Sequence, residues 1–279
     1  MFQPSKYFPA PHFLILCCSI LICSCRDNVV DRQDSESIDS RIRIGLWESI
    51  GGTQRSLSLQ CTTERIYPCF NFRIQHEITK NGSAINITFT GIYKPQICLD
   101  ALGTASAEIG LGSINDGIYV LSLTVNGTTL PAQLRVTGDA YHVTGGDGPW
   151  ITFPQPDLLR VPDGTTWGYV GYHVASSEHF VRSFLDSLLS LGAQQQPYRP
   201  GEYGYFSIDP TGNIEQPGNL GYYFVRPFIY YFPNDTLLMR NLVKGYGKQF
   251  GDSLNIGLYG SHGEEYYSWM LRQEPGKKD

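Results

Sequence analysis

The chain has 279 residues, of which 21 are basic and 26 acidic, and its formal net charge is −5. This acidic balance argues against nucleic acid as a partner, because nucleic-acid-binding proteins carry a basic patch that contacts the phosphates. The 18 tyrosines, 14 phenylalanines, 30 glycines and 17 prolines favour strands and turns over long helices.

Residues 1–24 are predicted to be a lipoprotein signal peptide. Lys6 is the only charged residue before the apolar run of residues 13–22, which is shorter than the roughly 20 apolar residues that span a bilayer. The run ends in ICSC, residues 22–25, and this stretch resembles the lipobox of bacterial lipoproteins. The resemblance implies cleavage after Ser24 and acylation of Cys25. An uncleaved anchor or a plain secretory signal is the alternative, because the apolar run fits both kinds of signal.

Residues 25–40 are predicted to be a flexible tether between this anchor and the folded part. The stretch contains many charged side chains and few apolar ones, so it cannot bury enough surface to offset the entropy of ordering. Acyl chains on Cys25 would attach the protein stably to a lipid surface. The expected location is therefore the cell envelope, at the outer membrane, with the membrane as a partner through the N-terminal lipid anchor.

The pattern around residues 69–98 predicts a disulfide. Asparagine and glycine at positions 81 and 82 stand between two alternating stretches, and this pair is the strongest short signal for a two-residue hairpin turn. Such a turn places Cys69 opposite Lys94, close to Cys98 in the chain. We therefore expect a Cys69–Cys98 disulfide, with Cys61 left as a buried thiol, and a Cys61–Cys69 pair is the alternative. Export permits a disulfide, and cysteines without C-x-x-C spacing predict no metal site.

Residues 41–144 are predicted to form an all-β Ig-like sandwich. Short stretches with the alternation or composition of strands are separated by asparagine, aspartate and glycine at regular spacing. The predicted strands are residues 56–61, 69–79, 83–93, 105–111, 117–125, 132–137 and 140–143. The segment CLDALGTASAEIGLGSINDGIYVLSLTVNG, residues 98–127, also resembles the Ig-like first domain of some Bacteroidetes-type lipoproteins. This resemblance implies a fold and not a ligand.

Residues 145–166 are rich in glycine, proline and aspartate and are predicted to be a linker. Residues 167–279 are predicted to form a ferredoxin-like α+β domain, because their elements follow the order β-α-β-β-α-β. The expected strands are residues 167–175, 203–209, 222–232 and 254–259, with one helix capped by Ser177 and one capped by Asn234 or Asp235. Pro227 argues against this fold, because it interrupts a strand that should be central. Either the strand bends there or the strand order differs.

The sequence contains no convergent catalytic set. There is no P-loop, dinucleotide fingerprint, EF-hand loop or G-x-S-x-G elbow. His173, Glu178 and His179 are the candidates for a polar catalytic cluster, and His262 with Glu264 forms a second pair. The alternative for both groups is that they are ordinary exposed polar side chains beside a loop, because a catalytic base also needs a positioned partner. We therefore expect no cofactor and no metal, and a binding role in preference to catalysis.

Aromatic residues crowd the last third of the chain and are the main candidates for ligand binding. Tyr223, Tyr231, Tyr267 and Trp269 are expected to form a platform on a sheet face that no helix covers. Rings that fill the core, or that pack on the first domain or a second copy, are the alternative. The predicted function is a lipid-anchored envelope protein that binds or scaffolds a glycan, a peptide or an envelope protein. An envelope hydrolase with the His/Glu residues and a structural subunit of an envelope complex are the alternatives.

Overall fold

The computed structural model describes residues 35–51, 54–99, 101–215, 218 and 220–273. The predicted signal peptide, Cys25 and residues 25–34 of the predicted tether lie outside the described residues. Contacts group Asp34–Asp279 into one compact unit. The protein is mostly β, with 49% strand.

Eleven strands form the larger sheet. They are β1 (Ser35–Glu36), β2 (Ile42–Gly51), β3 (Gln54–Tyr67), β4 (Arg73–Asn81), β5 (Ala84–Tyr93), β6 (Gly103–Gly112), β7 (Gly117–Val125), β8 (Thr128–Val136), β9 (Ala140–Gly145), β10 (Ile151–Thr152) and β11 (Asp157–Leu159). The hydrogen-bonded order is β10-β2-β3-β6-β4-β5-β7-β8-β9-β11, and β1 pairs with β5 beside this path. The ten strands of the path form a curled half-barrel around an apolar core.

The expectation of an Ig-like sandwich is wrong, because these strands form one continuous sheet instead of two sheets packed face to face. β4 and β5 form the expected hairpin, but β6 pairs with β3 and β4, and β7 runs parallel to β5. Alternation of apolar residues reports which face of a strand is buried, and it does not report which strands are neighbours. β2 has no counterpart among the predicted strands. Residues 145–166, predicted as a linker, contribute β10 and β11 at the two ends of the path.

A disulfide joins the loops at one end of the β4–β5 hairpin. Cys69 is bonded to Cys98, the pair that the hairpin pattern favoured, with 5.4 Å between the Cα atoms. The predicted hairpin register is wrong by two residues, because residues 82 and 83 form the turn instead of 81 and 82. Gly82 has a φ of +57°, and a glycine at the first turn position is what a type II′ hairpin requires.

The strands after β11 are β12 (Thr165–Tyr172), β13 (Gly201–Glu202), β14 (Ser207–Ile208), β15 (Phe224–Tyr231), β16 (Asn255–Gly260) and β17 (Glu265–Tyr267). Four of them form a second, antiparallel sheet in the order β15-β12-β16-β17. β13 and β14 form a separate two-stranded hairpin.

The expectation of a ferredoxin-like domain is also wrong. The predicted second strand, residues 203–209, supplies only the short β14 of the separate hairpin, and β17 completes the four-stranded sheet instead. Pro227 lies on the edge strand β15, opposite Tyr169. An edge strand tolerates a residue without a backbone N–H. Of the two explanations for Pro227, the structure therefore shows the different strand order.

Three short helices accompany this sheet in the described part of the chain: α1 (Glu178–Ser190), α2 (Thr236–Phe250) and α3 (Ser268–Leu271). Their apolar sides form a core with one face of the four-stranded sheet, in which Val181 and Phe184 are fully buried. Asp235 caps α2 by accepting a hydrogen bond from the backbone N–H of Leu237 at 2.8 Å. Ser177 precedes α1 without a side-chain capping bond. None of the helices in this part has the length and apolar character that a membrane crossing demands.

A buried carboxylate connects the two ends of the curled sheet. Glu48 on β2 is only 1% exposed. It accepts hydrogen bonds from the Tyr141 hydroxyl of β9 at 2.8 Å and from Nε of Arg160, which follows β11, at 3.1 Å. Arg55 on β3 adds an ion pair at 3.5 Å and donates to the Val161 carbonyl at 2.6 Å. Burial and the charge of Glu48 raise the pKa of Tyr141, so its hydroxyl stays a hydrogen-bond donor.

We expect Glu48→Ala to lower the free energy of unfolding by about 3–5 kcal/mol, because it removes the buried partner of two mostly buried arginines and leaves them only the exposed carboxylates of Asp163 and Asp116. Glu64→Ala is the matched control: Glu64 pairs with Arg41 at 4.0 Å on the surface, and such pairs contribute about 0–1 kcal/mol. Urea unfolding of both variants measures the difference. Equal losses for the two variants would show that the buried cluster does not hold the sheet closed.

Cys61 on β3 is a buried free thiol. Burial raises the pKa of this thiol to about 12, and alkylating reagents attack the thiolate. We therefore expect Cys61 to resist iodoacetamide at about pH 8 in the folded protein and to react in concentrated urea. Peptide mapping by mass spectrometry measures the labelled fraction. Rapid labelling of Cys61 in the native state would contradict its burial.

Candidate functional site

The second face of the four-stranded sheet carries the candidate site. The helices cover the face that contains Val170 and Leu258. Because side chains alternate along a strand, the opposite face receives Trp167 and Tyr169 from β12 and Tyr259 from β16. The β13–β14 hairpin and the end of β2 pack against part of this opposite face, and a cleft remains beside them.

The cleft has a volume of about 490 Å³, which lies in the range of small-molecule and cofactor sites. Its wall is mainly aromatic and includes two carboxylates. The aromatic residues are Trp47, Trp167, Tyr169, Tyr205, Phe206 and Tyr259, and the carboxylates are Glu202 and Glu215. We call this site the aromatic cleft.

The rings of the aromatic cleft support one another. Tyr205, between β13 and β14, packs on Trp47 with ring centres 4.9 Å apart and on Trp167 at 5.6 Å. Trp167 also stacks on Tyr259 at 5.9 Å. The Tyr205 hydroxyl accepts a hydrogen bond from the backbone N–H of Ile50 at 2.9 Å. Rings held in this way lose little conformational freedom when a ligand binds.

Two glycines allow aromatic rings to lie directly on the sheet. A Cβ atom on Gly257 would come within 2.6 Å of the Tyr169 ring, and one on Gly171 within 2.2 Å of the Tyr222 ring. Gly257 stands opposite Tyr169 on one neighbouring strand and opposite Tyr267 on the other. The missing side chain therefore makes room for the tyrosine that forms part of the cleft wall.

Among the described residues, the polar side chains that line the cleft are carboxylates and hydroxyls. Ser207 donates a hydrogen bond to the Glu215 carboxylate, and Glu202 is exposed at the hairpin. Burial raises the pKa values of Tyr169 and Tyr259, so both hydroxyls stay protonated and can donate or accept hydrogen bonds. The lining contains no lysine, arginine or histidine among the described residues.

Tyr267 and Trp269, two of the residues predicted to bind a ligand, adjoin the aromatic cleft through Tyr259. The Tyr267 ring meets the Tyr259 ring edge-on at 5.8 Å and lies 4.8 Å from the Trp269 ring. The Tyr267 hydroxyl donates to Glu265 at 3.3 Å. Tyr267 therefore supports the Tyr259 ring without lining the cleft itself.

Tyr223 and Tyr231, the other two predicted ligand residues, lie elsewhere. Tyr223 is 84% exposed in the loop before β15, with its ring edge-on to His173 at 5.4 Å. Tyr231 is half-buried against Gly164 and lines a different depression. The structure therefore does not bring the four predicted aromatic residues together on one platform.

The candidate catalytic residues each have a separate partner. Glu178 accepts a hydrogen bond from the Tyr172 hydroxyl, and His179 Nδ1 bonds to the Ser176 carbonyl at 2.6 Å. His173 packs against neighbouring tyrosine rings. These contacts do not form the chain of nucleophile, base and orienting group that catalysis requires.

His262 Nδ1 lies 3.7 Å from a carboxylate oxygen of Glu264 in the turn after β16, and both residues line a depression other than the aromatic cleft. No group of three or more His, Cys, Asp or Glu side chains could hold a metal ion within the ranges that the structure describes.

Comparisons with protein-family models, with curated proteins and with solved structures found no match to this chain. The function is therefore argued from the aromatic cleft.

None of the four predicted ligand residues lines the aromatic cleft. Sequence reasoning therefore missed its lining residues as site residues, among them Trp47, Glu202 and Glu215. A signal for Trp47 exists, because Ile42, Ile44 and Leu46 alternate and indicate a strand that would place Trp47 on its other face. The two glutamates have no local signal. They reach the cleft only because the β13–β14 hairpin and the loop after it pack over the second sheet.

We expect Gly257→Ala to displace the Tyr169 ring and to lower the free energy of unfolding by about 1–3 kcal/mol, as overpacking does. Gly110→Ala in β6 is the matched control, since a Cβ there meets no atom within 4 Å. Thermal unfolding and near-ultraviolet circular dichroism, which reports ring packing, measure the two effects. Identical melting temperatures and spectra for the two variants would contradict the close approach of Tyr169 to the sheet.

Proposed function

We propose that this protein is anchored by lipid in the cell envelope and binds a neutral glycan in the aromatic cleft. The observation that carries the proposal is the combination of fixed aromatic rings with two carboxylates in one cleft. Sugar rings have apolar C–H faces, which stack on aromatic rings, and hydroxyl edges, which hydrogen-bond to carboxylates and tyrosine hydroxyls. Tyrosine and tryptophan supply both kinds of contact.

The charge of the cleft favours a neutral ligand. Glu202 and Glu215 line it, and the described lining has no basic side chain to balance them. A uronic acid, a sulfated sugar or a nucleic acid would therefore meet repulsion without a compensating ion pair. Neutral hydroxyls, by contrast, can donate hydrogen bonds to both carboxylates.

The surroundings of the cleft favour an oligosaccharide over a single sugar. A second depression of about 370 Å³ shares Trp47, Glu202 and Gly204 with the aromatic cleft. A ligand that fills both depressions would pass over the Trp47 ring. Several sugar units in a row fit this arrangement.

The envelope location is supported by the sequence. The resemblance of residues 22–25 to a lipobox implies an acylated Cys25. The Cys69–Cys98 disulfide fits the same location, because stable disulfides are typical of exported proteins and rare in the cytosol.

The experiment is an array screen of the full chain against neutral, acidic and amino-sugar oligosaccharides and against peptides. We expect binding to neutral oligosaccharides, which Trp47→Ala and Glu202→Gln each weaken by about tenfold or more, equal to about 1.4 kcal/mol. Tyr223→Ala is the matched aromatic control and retains binding, because Tyr223 is exposed outside the cleft. Titration calorimetry of the best array ligand measures the affinities.

Other outcomes would contradict the proposal in distinct ways. Loss of binding in Tyr223→Ala but not in Trp47→Ala would move the site to the exposed tyrosine. Binding of peptides alone would exclude a glycan ligand. Release of reducing ends from the bound oligosaccharide would make the protein a glycoside hydrolase, in which paired carboxylates are the usual catalytic groups. Correctly folded protein without any array ligand would refute glycan binding in the cleft.

A further inference from the structure

Exposed hydrophobic side chains gather at one end of the curled sheet. Five of the fourteen large hydrophobic residues that are exposed in the described ranges lie there. We call these five the apolar tip: Ile66, Phe70, Ile97, Leu99 and Leu102. Ile66, Ile97 and Leu102 are 65%, 76% and 77% exposed. Contiguous exposed apolar groups on a folded protein mark an interaction surface.

The disulfide and hydrogen bonds hold one half of the apolar tip. The Cys69–Cys98 bond joins the loop before β4 to the loop after β5. The Asn71 side chain donates to the Ile97 carbonyl at 2.8 Å and accepts from the Leu99 N–H at 3.4 Å. The hydrophobic side chains of the two loops are therefore held side by side.

The other half of the apolar tip is held by β3 and β6. Ile66 pairs with Thr104 across these strands. Gly103 packs so tightly on Phe70 that a Cβ there would come within 2.7 Å of the Phe70 side chain. Leu102, which directly precedes Gly103, is thereby placed next to Phe70.

The described chain begins at this same end of the sheet. Ser35 on β1 lies opposite Tyr93 on β5, and Tyr93 lies opposite Arg73 on β4. Tyr93 leads into the loop that carries Ile97, and Arg73 follows the loop that carries Phe70. Neighbouring strands are about 5 Å apart, so Ser35 lies about 5 Å from the strand that leads into the Ile97 loop and about 10 Å from the strand that follows the Phe70 loop.

We propose that the apolar tip inserts into the interface of the membrane that holds the predicted lipid anchor. Cys25 precedes Ser35 by ten residues, which span at most about 35 Å of extended chain. Acyl chains on Cys25 and the apolar tip can therefore enter the same bilayer. A second membrane contact strengthens attachment, because stable anchoring generally takes two signals. This inference rests on the proposed envelope location and not on the glycan site.

The balance of charge near the apolar tip indicates that apolar contact drives the insertion, and not attraction to anionic lipids. Arg65 beside Ile66 pairs with Asp39, and Arg41 pairs with Glu64. The segments 36–41, 64–73 and 94–102 together contain four basic and four acidic residues, so the charges near the tip balance. Attraction to anionic lipids needs an excess of basic residues. We therefore expect insertion into neutral phosphatidylcholine and little dependence on salt.

The test is quenching of a tryptophan placed in the apolar tip. The full chain with Ile97→Trp is reconstituted into phosphatidylcholine vesicles, with and without bromine atoms near the headgroup end of the acyl chains. Ile118→Trp is the matched control: Ile118 is 49% exposed at the start of β7. Val120 pairs with Ala84 at the start of β5, whereas the apolar tip follows the end of β5, so the two tryptophans lie at opposite ends of that strand.

We expect bromine to quench most of the emission that Ile97→Trp adds to the wild-type signal and none of the emission that Ile118→Trp adds. Equal quenching of the two added tryptophans would overturn the inference. Unquenched, blue-shifted emission from Ile97→Trp would instead show that residues 25–34 or another protein cover the tip, and unquenched, red-shifted emission would show that it faces water. Either result also overturns it. Both variants keep wild-type glycan binding, so failure here and failure of the glycan proposal appear in separate measurements.

Discussion

Glu48 is buried within the folded chain, and its carboxylate is stable there only because charged and hydroxyl partners surround it. Those partners come from distant parts of the chain: Arg55 from β3, Tyr141 from β9 and Arg160 from the segment after β11. β2 and β9 lie near opposite ends of the sheet path. The sheet must curl until these ends meet, since a flat sheet would leave the carboxylate without two of its partners. The half-barrel and the buried charge cluster therefore require each other.

The same cluster determines where the second sheet begins. Arg55, besides contacting Glu48, donates to the Val161 carbonyl and to the Asp163 carboxylate, just before β12. Trp47 precedes Glu48 on β2, and neighbouring residues of a strand face opposite sides. With Glu48 turned into the core, Trp47 is turned outward to the Tyr205 ring. The burial of Glu48 between the ends of the larger sheet thus also orients Trp47, which lines the aromatic cleft.

The aromatic cleft and the apolar tip differ in how their hydrophobic residues are held. In the cleft, the rings are buried or half-buried against one another, and tyrosine hydroxyls can take part in hydrogen bonds. In the tip, aliphatic side chains stand well exposed on loops that a disulfide and Asn71 fix. The first arrangement suits a ligand with both apolar faces and hydroxyl groups, and the second suits a purely apolar environment. One chain therefore offers two surfaces of different chemistry, one for the proposed glycan and one for the proposed membrane contact.

Local patterns in the sequence predicted the strand of residues 117–125, a cap of α2 at Asn234 or Asp235 and, in preference to Cys61–Cys69, the Cys69–Cys98 pair. These features depend on alternation, on a capping residue and on a hairpin, all of which act between residues close in sequence. Only the tertiary structure decided that the strands form one curled sheet, that Pro227 lies at an edge, and that Trp47 and Trp167 line the same cleft. Those outcomes depend on which strands become neighbours. Long-range packing and the partners of a buried charge such as Glu48 determine which strands are neighbours. The alternation of apolar and polar residues along a single strand does not specify them.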